Sequence, residues 1–242
     1  MSGLEEHVAV ITGASSGIGK AIALRLASHG AALCLVGRNR EALEEVAGTA
    51  AAAASQVKCV TVDLVAEHDI RTLGTVLQRE YGEIDILIHS AGYISMGLLE
   101  RTPVEELDRH YRINVRAPYL LTQLVVPLMR PQRGQIVFVN SSIVQHARAG
   151  TSQYAASKYA LHAIADSLRA EVNDRGIRVL SVYPGRTATP MQAAVHAMEG
   201  RPYEPERFIQ PEDVAAVVAH ALLLERTVEA TDIAIRPLRK PS

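Results

Sequence analysis

Short apolar runs alternate with longer amphipathic segments along the whole chain. Runs of four to six mostly apolar residues, the length of a strand, lie at 8–11, 32–36, 57–62, 84–88, 136–139, 179–182 and 232–235. Helical periodicity fills the intervals from a glycine-rich turn to about residue 29, and at 41–54, 70–81, 104–129, 154–174 and 214–224. This alternation predicts βαβ units and a parallel sheet. Because the strands are apolar at successive positions, helices should cover both faces of the sheet.

No linker or change of composition divides the chain, so we expect one domain over residues 1–242. Its predicted fold class is α/β, a doubly wound parallel sheet in three layers. Residues 50–54, a run of alanines, should end a helix. Residues 184–211 contain five of the eleven prolines and no clear strand, which is typical of a mobile loop over a substrate.

The composition excludes several classes of partner. The formal net charge is −1, Trp is absent and there are two Phe, so neither basic patches nor aromatic stacking point to nucleic acid. No apolar run reaches the roughly 18 residues that span a bilayer, and the first residues are acidic, unlike a secretory leader. Cys34 and Cys59 lie in strand-like runs and should be free thiols. We therefore expect a cytoplasmic protein without membrane or nucleic-acid partners.

A glycine-rich loop follows the first predicted strand and opens a helix. Its sequence, TGASSGIG, places Gly13, Gly17 and Gly19 in a Gly-x-x-x-Gly-x-Gly pattern. Glycines let the backbone turn tightly and let a pyrophosphate approach, and a helix N-terminus offers free N–H groups and a positive dipole end. The alternative is a plain turn. Its position inside a βαβ unit favours a dinucleotide site.

The end of the second strand bears on the choice of cofactor. An acidic residue there would accept hydrogen bonds from the adenosine ribose of NAD, but the chain has Arg38. A guanidinium can hold a 2′-phosphate with its planar fork, which predicts NADP, with NAD as the alternative. An ordinary solvated Arg is the competing interpretation. Asp63, after the third strand, could cap a turn or bond the adenine amino group.

Tyr154 and Lys158 are four residues apart in a strongly helical segment and so share a face. A phenol has a pKa near ~10, and a neighbouring ammonium stabilises its phenolate. Alone, the pair also fits two surface residues.

Residues 140–142 end the fifth predicted strand, where a serine hydroxyl can hydrogen-bond a substrate carbonyl. Asn114 lies inside a predicted helix, where asparagine is unfavourable without a local task; a polar contact between helices is its alternative role.

Together these motifs resemble the short-chain dehydrogenases/reductases over nearly the whole chain, in their short single-domain branch with a Rossmann fold. The resemblance implies a catalytic set of Asn114, Ser142, Tyr154 and Lys158. It also implies cofactor contacts from the glycine loop, from four further loops and from the catalytic helix: Gly13, Ser15, Ser16, Gly17, Ile18, Gly19, Arg38, Asp63, Leu64, Ser90, Ala91, Gly92, Tyr154, Lys158, Pro184, Gly185, Thr187 and Thr189.

The resemblance implies a role for each catalytic residue. Tyr154 exchanges a proton with the substrate oxygen, Lys158 lowers the pKa of Tyr154 and holds the nicotinamide ribose, and Ser142 orients the substrate oxygen. Asn114 holds a water that links Lys158 to solvent. The hydride belongs to the cofactor, and no metal is required; the nine histidines form no zinc-type motif.

Three departures from the family pattern bear on the site. His89 and Ser90 stand where two asparagines are usual, which affects a structural hydrogen-bond set. The stretch from Ser142 to Tyr154 is one residue shorter than is common, which makes Ser141 a rival for the serine role. The C-terminal region lacks a Gly-Gly ending and looks more like that of NADP-dependent 3-hydroxy-acid and general carbonyl reductases.

The predicted function is an NADP(H)-dependent oxidoreductase acting on a small carbonyl or secondary alcohol. The alternatives are an NAD-dependent alcohol dehydrogenase and a catalytically silent NADP-binding protein; a sugar-nucleotide epimerase would need a longer C-terminal half. We expect a homodimer or homotetramer.

The substrate pocket should be formed by residues 93–98, 143–149 and 186–208. Its predicted apolar lining is Tyr93, Ile94, Met96, Val144 and Met191, and the arginines that could receive a carboxylate are Arg148, Arg186 and Arg201.

Overall fold

A parallel sheet forms the centre of the molecule in the computed structural model, which describes residues 3–238. Its strands within that range are β1 (Val8–Thr12), β2 (Ala32–Gly37), β3 (Val57–Thr61), β4 (Ile86–His89), β5 (Gln135–Val139), β6 (Arg178–Pro184) and β7 (Asp232–Ile235). They lie in the order β3-β2-β1-β4-β5-β6-β7, and every neighbouring pair is parallel. The doubly wound sheet predicted from the apolar runs is confirmed.

Burial along the strands explains why their sequences are so apolar. Every residue of β2, β4, β5 and β6 is buried, whereas the edge strands β3 and β7 are half-buried or exposed. Cys34 in β2 is buried and Cys59 in β3 is half-buried, and both thiols are free. A strand that is covered on both faces must be apolar at successive positions, which the inner strands are.

Helices cover both faces of the sheet. Their bounds are α1 (Gly17–Ala27), α2 (Arg40–Ala50), α3 (Glu67–Glu80), α4 (Val104–Tyr111), α5 (Ala117–Val125), α6 (Ser152–Val172), α7 (Pro190–Glu199) and α8 (Pro211–Leu222). Helices α1, α2 and α8 bury their apolar residues in one core, and α3, α5 and α6 bury theirs in the other. No helix within residues 3–238 is long and apolar enough to cross a membrane.

The long helix predicted over 104–129 is interrupted. A π-helical turn, Arg112–Arg116, separates α4 from α5, and a 3₁₀ turn, Val126–Leu128, follows α5. Pro118 explains the wider turn, because a proline has no N–H to donate and its ring would clash with the carbonyl four residues earlier, which is that of Asn114. The Ala117 N–H instead reaches the carbonyl of Arg112, five residues back.

The segment 184–211 is more ordered than the structureless loop that we expected. It contains α7 and a short 3₁₀ turn, Pro205–Arg207. Thr189 caps α7 by accepting the Gln192 N–H at 3.1 Å, and Gly200 ends the helix at a positive φ of 64°. The pattern Thr-Pro at the start and Gly at the end is typical of helix boundaries, so the local signals for this helix were present in the sequence.

Candidate active site

One large cavity, about 1270 Å³ in volume, opens at the carboxyl ends of the strands. In a parallel sheet this is the edge at which ligands bind, at the point where the strand order reverses; here that point lies between β1 and β4. Every residue proposed from the sequence for cofactor binding lines this cavity, as do Ser141, Ser142, Tyr154 and Lys158. Among the predicted catalytic residues, Asn114 is not in the lining.

The glycine loop is packed so closely that side chains have no room at two positions. Gly13 has a φ of 68°, and a Cβ there would lie 2.8 Å from the backbone of Ala91. A Cβ on Gly19, at the start of α1, would overlap the carbonyl of Gly13. The loop therefore presents backbone and the first turn of α1 to the cavity, a surface that suits a pyrophosphate.

Thr12 connects the glycine loop to the loop after β4. Its hydroxyl donates to the Ile88 carbonyl at 3.2 Å and accepts the N–H groups of Ser90 and Ala91 at 3.1 and 3.3 Å. This hydroxyl orders residues 90–92 although the usual asparagines are absent.

His89 fills one of the two altered positions as a core residue. Its Nε2 lies 2.8 Å from the Thr122 hydroxyl, and its ring stacks on Phe138. Burial lowers the pKa of His89 to about 3, so the ring stays neutral and has no charge to contribute to the site.

The part of the cavity next to β2 contains the guanidinium of Arg38. Arg38 is exposed, lines the cavity and has no carboxylate within salt-bridge distance among residues 3–238. Its neighbour Arg40, by contrast, pairs with Glu44 at 2.7 Å. Asp63 accepts the Val65 N–H at 3.0 Å, so one of its oxygens caps the turn after β3. Arg38 is therefore available to an anionic group, while Asp63 is already committed in part to the turn.

Tyr154 and Lys158 lie in the first two turns of α6 as the spacing predicts. Lys158 is 4% exposed; its Nζ lies 6.0 Å from the centroid of the Tyr154 ring and donates to the Val139 carbonyl at 3.1 Å. Asn140 donates to the Lys158 carbonyl at 3.2 Å, which ties α6 to the end of β5.

Both serines line the cavity, and Ser141 is the one whose side chain acts on Tyr154. It opposes the rise in the pKa of the phenol, and its hydroxyl also accepts the Ile143 N–H at 3.2 Å. Ser142 begins a 3₁₀ turn, Ser142–Val144, that Ser141 caps. The short spacing from Ser142 to Tyr154 had already made Ser141 its rival for the serine role.

Burial dominates the proton affinities of this pair. It raises the pKa of Tyr154, and the hydrogen bond from Ser141 opposes that rise. It lowers the pKa of Lys158 to about 8, because the ammonium has no carboxylate within salt-bridge distance among residues 3–238. Desolvation of the phenolate therefore has the largest effect on the pKa of Tyr154, and the group that opposes it is Ser141 rather than the expected Lys158.

Asn114 lies in the π-helical turn, behind the cavity wall. Its side chain donates to the Tyr93 carbonyl at 2.9 Å and accepts the Tyr93 N–H at 2.8 Å, as a paired strand residue would. It also donates to the Ser157 hydroxyl at 3.0 Å. This is the local task that the sequence required of an asparagine in a helix: it clamps the loop after β4 to α6.

The loop after β6 brings α7 over the glycine loop. The Gly185 N–H donates to the Ile235 carbonyl at 2.7 Å, and the Thr187 hydroxyl donates to the Gly185 carbonyl at 3.0 Å. A Cβ on Gly17 would lie 3.0 Å from Thr189. The start of α7 thus covers one side of the cavity.

The predicted pocket lining is largely confirmed, with two exceptions. Tyr93, Ile94, Met96 and Met191 line the cavity, but Val144 does not. Arg186 is engaged by both oxygens of Glu199, at 2.9 and 2.6 Å, so it is not free to receive a carboxylate. Arg148 and Arg201 are exposed in the lining, without a salt-bridge partner among residues 3–238.

The sequence analysis missed one lining residue of chemical interest. Arg109 in α4 lies over the Tyr93 ring, 4.2 Å from its centroid. In the sequence, Arg109 was marked only by its position three residues after Glu106. The two side chains form a long ion pair, with 3.9 Å between Arg109 Nη1 and Glu106 Oε1. Glu106 itself accepts hydrogen bonds from the Tyr93 and Ser95 hydroxyls, at 2.9 and 2.5 Å.

Comparison with known proteins points to one family. Residues 7–200 match the family described as short chain dehydrogenase. An uncharacterized oxidoreductase of Staphylococcus aureus (strain USA300) is 32% identical over 239 residues, which are 98% of this chain and 100% of that protein.

Solved structures agree over nearly the whole length. A short chain dehydrogenase from Burkholderia cenocepacia J2315, in complex with NADP, is 30% identical with a TM-score of 0.86; the match covers 96% of this chain and 97% of that one. A metagenomic short-chain oxidoreductase in complex with NADP is also 30% identical, with a TM-score of 0.83 and coverage of 98% and 99%.

Proposed function

Because this chain belongs to the short-chain dehydrogenase family and is an oxidoreductase, we propose that it catalyses NADP(H)-dependent interconversion of a small carbonyl compound and its secondary alcohol. The observation that carries the proposal is that Ser141, Tyr154 and Lys158 line the same cavity as the glycine loop. A serine hydroxyl at the end of β5 and a phenol on α6, with Lys158 one helical turn away, can bind a carbonyl oxygen and protonate it.

The residues around the cavity fit a nicotinamide dinucleotide. The glycine loop can adopt this close packing only because Gly13 and Gly19 lack side chains, and it offers backbone and the first turn of α1 to a pyrophosphate. Arg38, exposed and without an acidic partner among the described residues, suits a 2′-phosphate, which favours NADP over NAD. The Burkholderia and metagenomic relatives are both complexes with NADP. When bound, the nicotinamide supplies or accepts the hydride.

The protein's own groups handle the proton. Since burial raises the pKa of Tyr154, its hydroxyl is protonated at neutral pH and can donate to the oxygen of a ketone that is being reduced. Ser141 donates a hydrogen bond to the same oxygen and steadies its developing negative charge. We therefore propose for Ser141 the role that the family resemblance first implied for Ser142.

Lys158 and Asn114 act around this pair. The Lys158 ammonium, at hydrogen-bond distance from the Val139 carbonyl, has further N–H groups for the hydroxyls of a ribose. As a positive charge near the tyrosine, it favours the phenolate that forms when the proton leaves. Asn114 holds Tyr93 and Ser157 in place and thereby positions the wall of the cavity. We also propose that it holds a water that links Lys158 to solvent, as the family resemblance implies.

The test is NADPH oxidation over a panel of ketones, aldehydes, keto acids and sugars, with Tyr154→Phe as the diagnostic variant. We expect turnover to fall at least ~100-fold, the contribution of a general acid, while NADPH affinity changes little. Tyr159→Phe, an exposed tyrosine five residues later on the same helix, is the matched control and should be fully active. Unchanged turnover in Tyr154→Phe would refute its role, and NADPH binding with no oxidation of any substrate would point to a silent binding protein.

A second variant tests the preference for NADP over NAD. Arg38→Asp should weaken NADP binding and shift preference toward NAD, because the carboxylate repels a phosphate and accepts ribose hydroxyls. Arg40→Asp makes the same charge change two residues away and outside the cavity. Equal NADP and NAD affinity in both the parent and Arg38→Asp would contradict the assignment of Arg38.

We also propose a homodimer or homotetramer. Helices α4, α5 and α6 expose large apolar or aromatic side chains, among them Tyr111 (48% exposed), Tyr119 (50%) and Tyr159 (44%). Such exposure on neighbouring helices favours association with a second copy. Light scattering after size exclusion measures the mass directly; a single 26.2 kDa species at micromolar concentration would contradict it.

A further inference from the structure

The cavity concentrates positive charge in a chain that is nearly neutral. Seven of its lining side chains are Lys or Arg, whereas only two, Asp63 and Glu199, are carboxylates. The formal net charge of the whole chain is −1. The rest of the protein therefore carries an excess of acid, and the cavity is the place where cations face an enclosed space. A cleft lined by one sign of charge attracts ligands of the opposite sign.

The proposed cofactor does not account for all of this charge. Arg38 and Lys158 are assigned to its phosphate and ribose. The backbone of Arg236 lies beside Gly185, which is one of the predicted cofactor contacts. A bidentate pair with Glu199 neutralises Arg186. Three cations remain without a role: Arg109, Arg148 and Arg201.

The three remaining arginines lie on elements that adjoin the tyrosine or cover the cavity. Arg148 is anchored just before α6, because its backbone N–H and carbonyl both bond the hydroxyl of Thr151, at 3.2 and 2.7 Å. Thr151 is three residues from Tyr154. Arg109 precedes His110, whose ring lies 6.2 Å from the Tyr154 ring. Arg201 follows the C-terminal end of α7, where its N–H donates to the His196 carbonyl at 3.0 Å.

Acidic side chains neutralise these arginines only in part: the charge of Arg201 helps to lower the pKa of Glu199, but both oxygens of that carboxylate are held by Arg186. Neither Arg148 nor Arg201 has a carboxylate within salt-bridge distance among residues 3–238. Arg109 has only the long contact to Glu106, whose other oxygen is taken by Ser95 and Tyr93. The cavity that holds these arginines and Tyr154 also has apolar side chains in its lining, among them Ile94, Met96, Ile143 and Val195. It thus combines an apolar wall with a basic rim of Arg109, Arg148 and Arg201.

We propose that the substrate is a carbonyl compound or alcohol that carries an oxyanion, either a carboxylate or a phosphate monoester, and that Arg148 and Arg201 receive this group with help from Arg109. The inference rests on the proposed function, since it places the reacting carbon at Ser141 and Tyr154. A short apolar spacer of the substrate lies along the wall. Guanidinium groups bind both oxyanions with paired hydrogen bonds, so the shared chemistry is what the rim recognises.

The experiment compares matched substrates of the NADPH-loaded enzyme. The first series contains 2-, 3- and 4-oxo acids of five to eight carbons, each with its methyl ester, which has the same skeleton without the charge. The second series contains phosphorylated hydroxyketones and their unphosphorylated parents. We expect at least one charged series to show kcat/KM about 10-fold or more above its neutral partners, as one charge-assisted hydrogen bond provides. The series that shows the preference identifies the anion.

Arginine variants then assign the preference to the rim. Arg148→Gln and Arg201→Gln should each lower kcat/KM for the charged substrate about 10-fold, mainly through KM, and leave the neutral partner and the KM for NADPH unchanged. Arg101→Gln removes an exposed arginine outside the cavity and is the matched control.

The outcomes separate the two proposals. If neutral ketones are reduced and no charged series is preferred, or if neither rim variant changes the ratio of charged to neutral substrate, the oxyanion site is overturned and the reductase stands. If no carbonyl compound of either kind is reduced, the proposed function fails and the inference fails with it.

Discussion

Replacing Lys158 with methionine should stabilise the nucleotide-free protein while it abolishes activity. Lys158 is 4% exposed, and its side chain donates to the Val139 carbonyl. Burial lowers its pKa to about 8 from an ordinary value of 10.5. A methionine has a similar length and no charge to desolvate. The fold would therefore be more stable without the buried ammonium of Lys158.

The size of the effect follows from the two pKa values. Each tenfold change in proton affinity is worth about 1.4 kcal/mol, so the fall from 10.5 to about 8 corresponds to a penalty of about 3 kcal/mol at pH 7. The substitution also leaves the buried Val139 carbonyl without its donor, at a cost of about 1 kcal/mol. We expect a net gain of about 2 kcal/mol in the free energy of unfolding.

The pH dependence has a definite sign. Below pH 8 Lys158 is charged in both the folded and the unfolded protein, and the full penalty applies. Between about pH 8 and 10.5 the unfolded chain holds a proton that the folded chain has lost, so the stability of the parent rises with pH. Near pH 10 the penalty is below about 1 kcal/mol, and the advantage of Lys158→Met disappears.

Urea unfolding at pH 7 and pH 10 measures both quantities, on protein freed of nucleotide. Lys20→Met, which removes an exposed lysine on α1, is the control and should show no comparable change between the two pH values. A Lys158→Met variant that is less stable than the parent at pH 7, or a difference that does not shrink at pH 10, would refute the reasoning.

Two further predictions concern the serines and glycines. Ser141→Ala should lower kcat about 100-fold or more, as loss of a donor to a developing oxyanion does, whereas Ser142→Ala should stay within about 3-fold of the parent; steady-state kinetics decides, and the opposite order would restore Ser142 to the role. Gly19→Ala should weaken NADPH binding at least ~10-fold in fluorescence titrations, because the added Cβ meets the Gly13 carbonyl. Gly48→Ala, where a Cβ on α2 meets nothing within 4 Å, should instead raise stability by about 0.5–1 kcal/mol in urea unfolding. Equal effects of the two glycine variants on binding would contradict the role of close packing.

The parts of the fold that the sequence predicts well are those whose signal is local. Strands buried on both faces must be apolar, and the strand at 32–36 needed only one added residue at its end. The glycine loop is equally local, since Gly13 and Gly19 are required by contacts within one βαβ unit and its neighbouring loop.

The remaining errors come from interactions between distant segments. The choice between Ser141 and Ser142 as the neighbour of Tyr154 depends on the path of the loop after β5. In the sequence, the only indication of that path was a spacing one residue shorter than usual. Nothing in the sequence indicated that Arg186 has an acidic partner. That partner, Glu199, lies thirteen residues later at the end of α7, a helix that we did not predict in the proline-rich segment. Arg109 gained its place in the cavity by stacking on Tyr93, a contact between separate elements.

The π-helical turn at Arg112–Arg116 makes the helix one residue longer than its span requires. Each extra residue in a helix rotates the next turns by about 100°, so α4 and α5 do not share one hydrophobic phase, and the surplus residue sets the direction that Asn114 faces. Deleting a residue of this turn other than Asn114 would change the phase between α4 and α5 and turn the Asn114 amide away from Tyr93, while Pro118 would still have no N–H to donate. A redesign that idealises this helix must therefore also replace Pro118, and it would gain regular geometry and lose the clamp on the cavity wall. An alignment that places its gap here matches Asn114 to the wrong residue.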